Sequence, residues 1–136
     1  MDCISGTWIA EPKAEKVDEF LKAAGVPDGM IETIKKREYE VTYSVDGNNV
    51  TCVAKVTNDP SVQPKTYTLT MGQESEVETL EGMMMKYTMT WDGSKYVEKC
   101  ITGNMTIDSI REVNGSTMTV TSTMNGVSMK QNYTKA

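Results

Sequence analysis

Residues 105–133 read MTIDSIREVNGSTMTVTSTMNGVSMKQNY, and this stretch decides the fold that the sequence predicts. Polar and apolar residues alternate through it, which is typical of β-strands with one buried face. Asn114-Gly115 and Asn125-Gly126 interrupt the alternation, and such dipeptides supply the positive φ angles of tight hairpin turns. The stretch therefore predicts three antiparallel strands in a simple meander.

The same pattern extends upstream to residue 39, where Asp46-Gly47 and Asp92-Gly93 mark two more hairpins. Counting a first apolar strand at Ile4–Ala10 and a weak one in the acidic stretch Glu74–Glu81, about ten short strands are predicted. An antiparallel meander of this length either closes into a barrel or packs as a sandwich, and closure removes exposed edges. We therefore expect an all-β, up-and-down barrel.

A helical pair interrupts the strands near the N-terminus. Apolar residues follow i, i+3, i+4, i+7 spacing from Val17 to Ala24, and Gly25 is well placed to end that helix. Pro27 suits the start of a second helix, whose apolar stripe is Met30, Ile31 and Ile34. The sequence predicts helices nowhere else.

Composition excludes several function classes. The 136 residues suit one domain, and a net charge of −5 argues against nucleic-acid binding, which needs a basic face. The chain contains no histidine and no C-x-x-C among its three cysteines, so the usual catalytic pairs and metal sites are not indicated. We expect neither enzyme activity nor a cofactor. Without an apparent leader or membrane span, a cytoplasmic location is expected.

Arg111 is the sharpest candidate for a functional side chain. The alternation places it on the inner face together with Ser109, Ser122 and Gln131, although a dry core tolerates few unpaired polar groups. A buried guanidinium needs an anion, and its planar donors suit a carboxylate. Either Arg111 reaches solvent or pairs with Glu98 or Glu112, or it faces a water-containing cavity and anchors a ligand. Several methionines share the predicted inner face and would give an adaptable wall: Met71, Met85, Met89, Met105, Met118 and Met129.

Four motifs across the whole chain resemble the intracellular lipid-binding proteins, the fatty-acid-binding protein family. Gly6-Thr7-Trp8 is similar to the first-strand motif, and residues 18–27, DEFLKAAGVP, are similar to the first helix and its turn. Gly72-Gln73-Glu74 with residues 76–82 resembles the segment after the fourth strand of liver-type members. Residues 111–115, REVNG, resemble the family's Arg/Thr-Glu-Leu-x-Gly turn.

The resemblance implies a ten-stranded antiparallel barrel with a helix-turn-helix lid at about residues 14–37. It also implies non-covalent binding of a long-chain fatty acid in an internal cavity. Many members hold the carboxylate with two arginines and a tyrosine, the last two in an Arg-x-Tyr motif. Arg111 matches the first arginine and Tyr133 the tyrosine, whereas Gln131 stands in the second arginine's place. Liver-type members keep the second arginine and lack the first, so this chain departs from both patterns.

These arguments give the predicted ligand-binding residues Arg111, Tyr133, Gln131, Met118, Val120, Leu69 and Met30. We expect Val26, Met30, Ile34 and Leu69 to line the entry gap under the lid. The leading hypothesis is a monomeric carrier of fatty acids or related hydrophobic ligands, in which Arg111 and Tyr133 hold the carboxylate. With a single arginine, bulkier lipids such as retinoids, bile acids or haem-like ligands are an alternative.

A membrane or protein interaction module is the hypothesis from a different class. Residues 13–38 carry six basic and six acidic groups, so the predicted lid is neutral while the rest of the chain carries the net charge. A neutral lid would be able to make transient contact with an anionic bilayer and pass a ligand to it.

Overall fold

The computed structural model describes residues 3–11, 16–78, 84–103 and 105–136. These residues form ten antiparallel strands and two helices. The elements are β1 (Gly6–Ala10), α1 (Val17–Ala23), α2 (Asp28–Lys36), β2 (Tyr39–Asp46), β3 (Asn49–Val56), β4 (Lys65–Thr70), β5 (Ser75–Glu78), β6 (Met84–Trp91), β7 (Tyr96–Thr102), β8 (Met105–Asn114), β9 (Thr117–Met124) and β10 (Val127–Lys135). The predicted all-β class, the strands and the helical pair are confirmed. The first residues of the predicted range 14–37 and the end of the predicted strand Glu74–Glu81 lie outside the described residues.

The strands form one sheet in the order β4-β3-β2-β1-β10-β9-β8-β7-β6-β5. Because the first strand pairs with the last, the meander curls into a nearly closed barrel, with β4 and β5 as its two edges. An ion pair crosses this gap, where Lys65 Nζ lies 2.7 Å from Glu78 Oε1. The predicted barrel is therefore confirmed, with one seam where side chains replace the backbone ladder.

Two of the predicted hairpin turns differ in where the glycine lies. Asn125 and Gly126 both have positive φ, 49° and 79°, and together form the loop between the paired residues Met124 and Val127. At Asn114-Gly115, by contrast, Asn114 still belongs to the strand, and the two-residue loop begins at Gly115. That loop has glycine at its first position with φ 65°, the feature of a type II′ turn.

The two helices meet at a glycine turn, as expected. Gly25 has φ 81°, its N–H donates to the carbonyl of Lys22, and the N–H of Val26 donates to the carbonyl of Leu21. These two bonds define a Schellman motif, which ends α1. Pro27 precedes the first helical residue instead of occupying that position. Helix α1 packs against β9, β10 and α2, so the pair covers one part of the barrel wall.

The hydrophobic core fills only part of the barrel. Trp8, Tyr96, Met118 and Val50 are fully buried, and the indole N–H of Trp8 donates to the carbonyl of Ile4 at 2.8 Å. Elsewhere the inner faces of the strands carry serine, glutamate, arginine and tyrosine around open space. The unfilled part of the barrel is the candidate site.

Candidate functional site

Two adjoining cavities occupy the interior. The larger has a volume of about 590 Å³, and residues from both helices and from β1, β2 and β6 to β10 line it. The smaller, about 150 Å³, is lined by strands β2 to β8 and is largely apolar. Tyr87, Glu98 and Arg111 line both cavities. The polar centre of the barrel therefore lies where the two spaces meet.

Strand register brings Glu98 and Arg111 together. On the β7–β8 pair, Glu98 lies directly opposite Ser109, and Arg111 is two residues further along the same face. Diagonal neighbours of this kind are about 7–8 Å apart at their backbones, which long side chains can span. The alternation that turns Arg111 inward therefore also places an inward acid within its reach.

The contact between these two side chains is bidentate. Arg111 Nε donates to Glu98 Oε2 at 3.1 Å, and Arg111 Nη2 donates to Glu98 Oε1 at 3.2 Å. Only 3 % of the Glu98 side chain and 11 % of the Arg111 side chain are exposed. Of the alternatives considered for Arg111, pairing with Glu98 is therefore the one observed. The charge on the inner wall is balanced within the protein.

Other groups surround the ion pair. Arg111 Nη1 lies 3.7 Å from the sulfur of Met118, and the guanidinium carbon is 5.4 Å from the centre of the Tyr43 ring, a cation–π geometry. Burial is the largest single influence and lowers the pKa of Arg111, but Glu98 together with Tyr43 and Tyr133 outweighs it, so the pKa of Arg111 is raised above its ordinary value. The guanidinium therefore stays protonated.

Nearby phenols and thiols stay neutral at physiological pH. Burial raises the pKa of Tyr43 and Tyr133 above the ordinary tyrosine value, although the charge of Arg111 opposes the shift at both. Burial likewise raises the pKa of Cys52 to about 11 and that of Cys100 to about 12. The Tyr133 hydroxyl is therefore a neutral donor or acceptor on the wall of the larger cavity.

The side-chain amide of Gln131 has no N–H group left to donate to a ligand. Its Nε2 donates to the backbone carbonyls of Glu11 and Asn132, both at 2.9 Å. These two acceptors fix the orientation of the amide and use both of its N–H groups. The carbonyl oxygen of Gln131 is what remains for a guest, so this residue provides an acceptor where an arginine would provide a cation.

Two serines add polarity beside the ion pair. Ser109 and Ser122 face each other across β8 and β9, and their hydroxyl oxygens are 2.9 Å apart. Both residues line the larger cavity, as the predicted inner face requires. Their mutual hydrogen bond lets this wall be polar without leaving either hydroxyl unsatisfied.

The structure brings together most of the predicted ligand-binding residues. Arg111, Val120, Gln131 and Tyr133 line the larger cavity, and Leu69 lines the smaller one. Met118 is fully buried and reaches the interior through its contact with Arg111.

The predicted entry gap is brought together only in part. Met30 lines neither cavity, because its side chain projects from α2 with 40 % exposed while Ile31 takes the buried position. Leu69, expected beside it, is 5 % exposed and lies deep in the smaller cavity. Val26 is absent from both linings, whereas Ile34 lines the larger cavity as expected.

Sequence reasoning did not select several lining residues. Tyr43, Tyr87, Cys52 and Cys100 contribute to the cavity walls, and Glu98 was considered only as a partner of Arg111. The signal for them was the two-residue period, because each shares a strand face with residues already assigned to the interior.

The described residues form neither a metal-binding cluster nor a membrane-spanning helix. No cluster of three or more Cys, Asp or Glu side chains in this part of the chain is arranged to hold a metal ion. None of the helices there is long and apolar enough to cross a membrane.

Known proteins place this barrel in a family. The family model described as lipocalin / cytosolic fatty-acid binding protein matches residues 4–135. The chain is 31 % identical over 123 residues to fatty acid-binding protein type 2 of Fasciola hepatica, covering 90 % of this chain and 89 % of that protein. It is 32 % identical over 117 residues to liver fatty acid binding protein 1-A of Danio rerio, covering 86 % of each.

Solved structures agree at the level of the fold. A Schistosoma mansoni fatty acid binding protein in complex with arachidonic acid superposes with a TM-score of 0.89 at 23 % identity, covering all of this chain and 98 % of the other. The ten-stranded barrel with its helical pair is thus shared with that structure. The chain belongs to the lipocalin / cytosolic fatty-acid binding protein family.

Proposed function

We propose that this protein is a monomeric, cytoplasmic carrier that binds a long-chain fatty acid or a related single-chain lipid non-covalently. One observation carries the proposal: a cavity of about 590 Å³ with one polar centre lies under the helical pair of a fatty-acid-binding barrel. This volume falls within the range of about 300–1,000 Å³ typical of small-molecule sites. Burial of the acyl chain supplies most of the affinity, at about 0.8 kcal/mol per CH₂.

The polar head of the lipid lies at Arg111 and Tyr133 in this proposal. Three of the five guanidinium N–H groups contact Glu98 and Met118, so Arg111 retains donor capacity for a ligand oxygen. Tyr133 adds a neutral hydroxyl on the same cavity wall. The carbonyl oxygen of Gln131 holds a water or a ligand hydroxyl beside them.

Blocking the cavity tests the carrier function. Ser122 lines the larger cavity, so Ser122→Trp should fill it and weaken binding of a fluorescent fatty acid by about tenfold or more. Ile110 is 38 % exposed on the outer face of the neighbouring strand, so Ile110→Trp is the matched control and should leave affinity unchanged. Equal affinity for both variants would place the ligand outside the barrel and refute the proposal. Native mass spectrometry of protein from its source would identify the guest.

Transfer of the ligand at a membrane is a second candidate, favoured by the exposure of α2. Met30 presents an apolar side chain to solvent, and Lys35 and Lys36 lie in the last turn of the same helix. An apolar tip beside lysines suits the surface of an anionic bilayer. Met30→Ser should slow transfer to anionic vesicles, whereas rates independent of lipid charge, of salt and of this substitution would exclude the contact.

Bulkier guests remain the alternative occupant of the same cavity. The smaller space beside Leu69 adjoins the larger one at Arg111, so a branched or two-ring ligand would be able to occupy both. Competition between a fatty acid and a retinoid for one site would separate these classes, because the tighter binder displaces the other at equal concentration.

A further inference from the structure

The head-group site contains an acid of its own, which decides the charge of the ligand it accepts. Glu98 holds Arg111 through two hydrogen bonds of 3.1 and 3.2 Å, and both side chains are almost completely buried. The pair has no net charge. A fatty acid carboxylate that entered as an anion would leave one uncompensated negative charge inside the barrel, which is costly where water is restricted.

We propose that the head-group site accepts an uncharged polar head group, so that a fatty acid binds together with one proton and a fatty alcohol binds without one. This inference rests on the proposed function, because it concerns the same site. The ligand carboxylate and a proton from the buffer enter together, and the proton lies between the ligand carboxyl group and Glu98. A hydroxyl head group donates to a Glu98 oxygen and accepts from Arg111 directly.

The neighbouring groups do not supply the missing positive charge. Other titratable side chains from six strands line the cavities around the pair: Tyr39 and Tyr43 on β2, Cys52 on β3, Tyr67 on β4, Tyr87 on β6, Cys100 on β7 and Tyr133 on β10. Phenols and thiols are neutral or negative, so none can balance a second carboxylate. The cations on the cavity wall are Lys35 and Arg37, at the end of α2, and the charge of Arg37 interacts with the carboxylate of Asp59. Lys35 is already paired with Asp18 at 3.0 Å.

Gln131 points to the same conclusion independently. Both of its N–H groups donate to backbone carbonyls, so it turns an acceptor and no donor towards a guest. An acceptor beside the head group favours a hydroxyl or a protonated acid over a carboxylate.

Counting protons on binding tests the inference. Oleic acid and oleyl alcohol should be titrated into the protein by calorimetry at pH 7.5, in buffers that differ in ionisation enthalpy. We expect uptake of about one proton per bound acid and of none per alcohol, since an aliphatic carboxyl group is ionised in water above about pH 5. The association constant for the acid should also fall about tenfold for each pH unit between 6 and 8, while that for the alcohol stays constant.

Glu98→Gln removes the internal acid and should abolish the proton uptake. Arg111 then has a free charge for the carboxylate, so the variant should bind the acid at least tenfold more tightly than the wild type at pH 7.5. Glu112→Gln, an exposed acid on the neighbouring strand, is the matched control and should behave like the wild type. If Glu98→Gln does not fold, the proton count of the wild type decides alone.

The outcomes separate this inference from the carrier function. Tight binding of the acid by the wild type without proton uptake would overturn the inference and leave the carrier function intact, with the head group held elsewhere, for example near α2. Failure to bind either lipid would refute both.

Discussion

Replacing Arg111 with glutamine should lower the free energy of unfolding by about 3–5 kcal/mol at pH 7, the usual cost of leaving one partner of a buried ion pair without the other. The geometry supports this magnitude. Two unit charges about 4 Å apart attract by about 4 kcal/mol at an effective dielectric constant of about 20. Glu98, with 3 % of its side chain exposed, cannot recover that energy from water.

A double-mutant cycle with Glu98→Gln isolates the interaction. The double variant carries two amides in place of two charges, so it should recover most of the loss, giving a coupling energy of about 3 kcal/mol. Urea unfolding of the four proteins at pH 7 measures it. The control cycle uses Lys55 and Glu40, whose charged atoms are closer, at 2.7 Å, but whose side chains are 47 % and 22 % exposed.

The control pair should show coupling of only about 0.2–1 kcal/mol, because water screens it and its side chains lose entropy on pairing. Comparing the two coupling energies therefore separates the effect of distance from that of burial, because the ion pair with the shorter contact is expected to have the smaller coupling energy. Coupling below 1 kcal/mol for Arg111 and Glu98 would refute the reasoning, since it would mean that water in the cavity solvates the two charges as well as bulk solvent does.

Two further predictions concern the scaffold. Gly6→Ala should destabilise the protein by about 1–2 kcal/mol, because Gly6 has φ +123° and an added Cβ would lie 2.8 Å from Lys135 Cε. Gly29→Ala, in open space within α2, should instead stabilise the protein by about 0.4–1 kcal/mol. Thermal unfolding of both variants measures these changes, and effects of equal sign would contradict the backbone argument. The raised pKa values of Cys52 and Cys100, about 11 and about 12, predict stability that is complete below about pH 9 and is lost as pH rises towards those values, because the unfolded thiols release their protons first. Urea unfolding between pH 8 and 11 should give a shallower decline for Cys100→Ala, and an unchanged slope would exclude the thiol as a cause.

The strands were predictable because their signals are local. A period of two needs only neighbours in sequence, and the positive φ angles of Asn125 and Gly126 follow from the residue types themselves. The exact turn at Asn114-Gly115 was less accessible, because a shift of one residue leaves the dipeptide signal unchanged. Barrel closure depends on pairing between β1 and β10, which lie more than a hundred residues apart.

The site was predictable in its residue types and less so in its pairings. The inward phase of Arg111 and Tyr133 followed from alternation, but whether Arg111 meets Glu98 or Glu112 depends on the register of β7 against β8. The exposure of Met30 was not predictable from the sequence pattern of its helix. Its place in an apolar helical stripe predicted a position at the entry gap, whereas Ile31 takes the buried position on α2 and Met30 is 40 % exposed.

Glu98 changes how the loss of the second arginine affects the charge of the barrel interior. With Gln131 in that position, one arginine would still leave a positive interior that attracts carboxylates. The internal acid cancels this charge as well, and the amide N–H groups of Gln131 are bound to backbone carbonyls. In the proposed carrier, electrostatic attraction therefore contributes little to ligand affinity, so the length of the buried acyl chain determines that affinity. The pair of Arg111 and Glu98 selects the head group by hydrogen bonding. In the proposed carrier, this pair discriminates between lipids by what their head groups donate and accept, and a fatty acid must take up a proton that a fatty alcohol does not need.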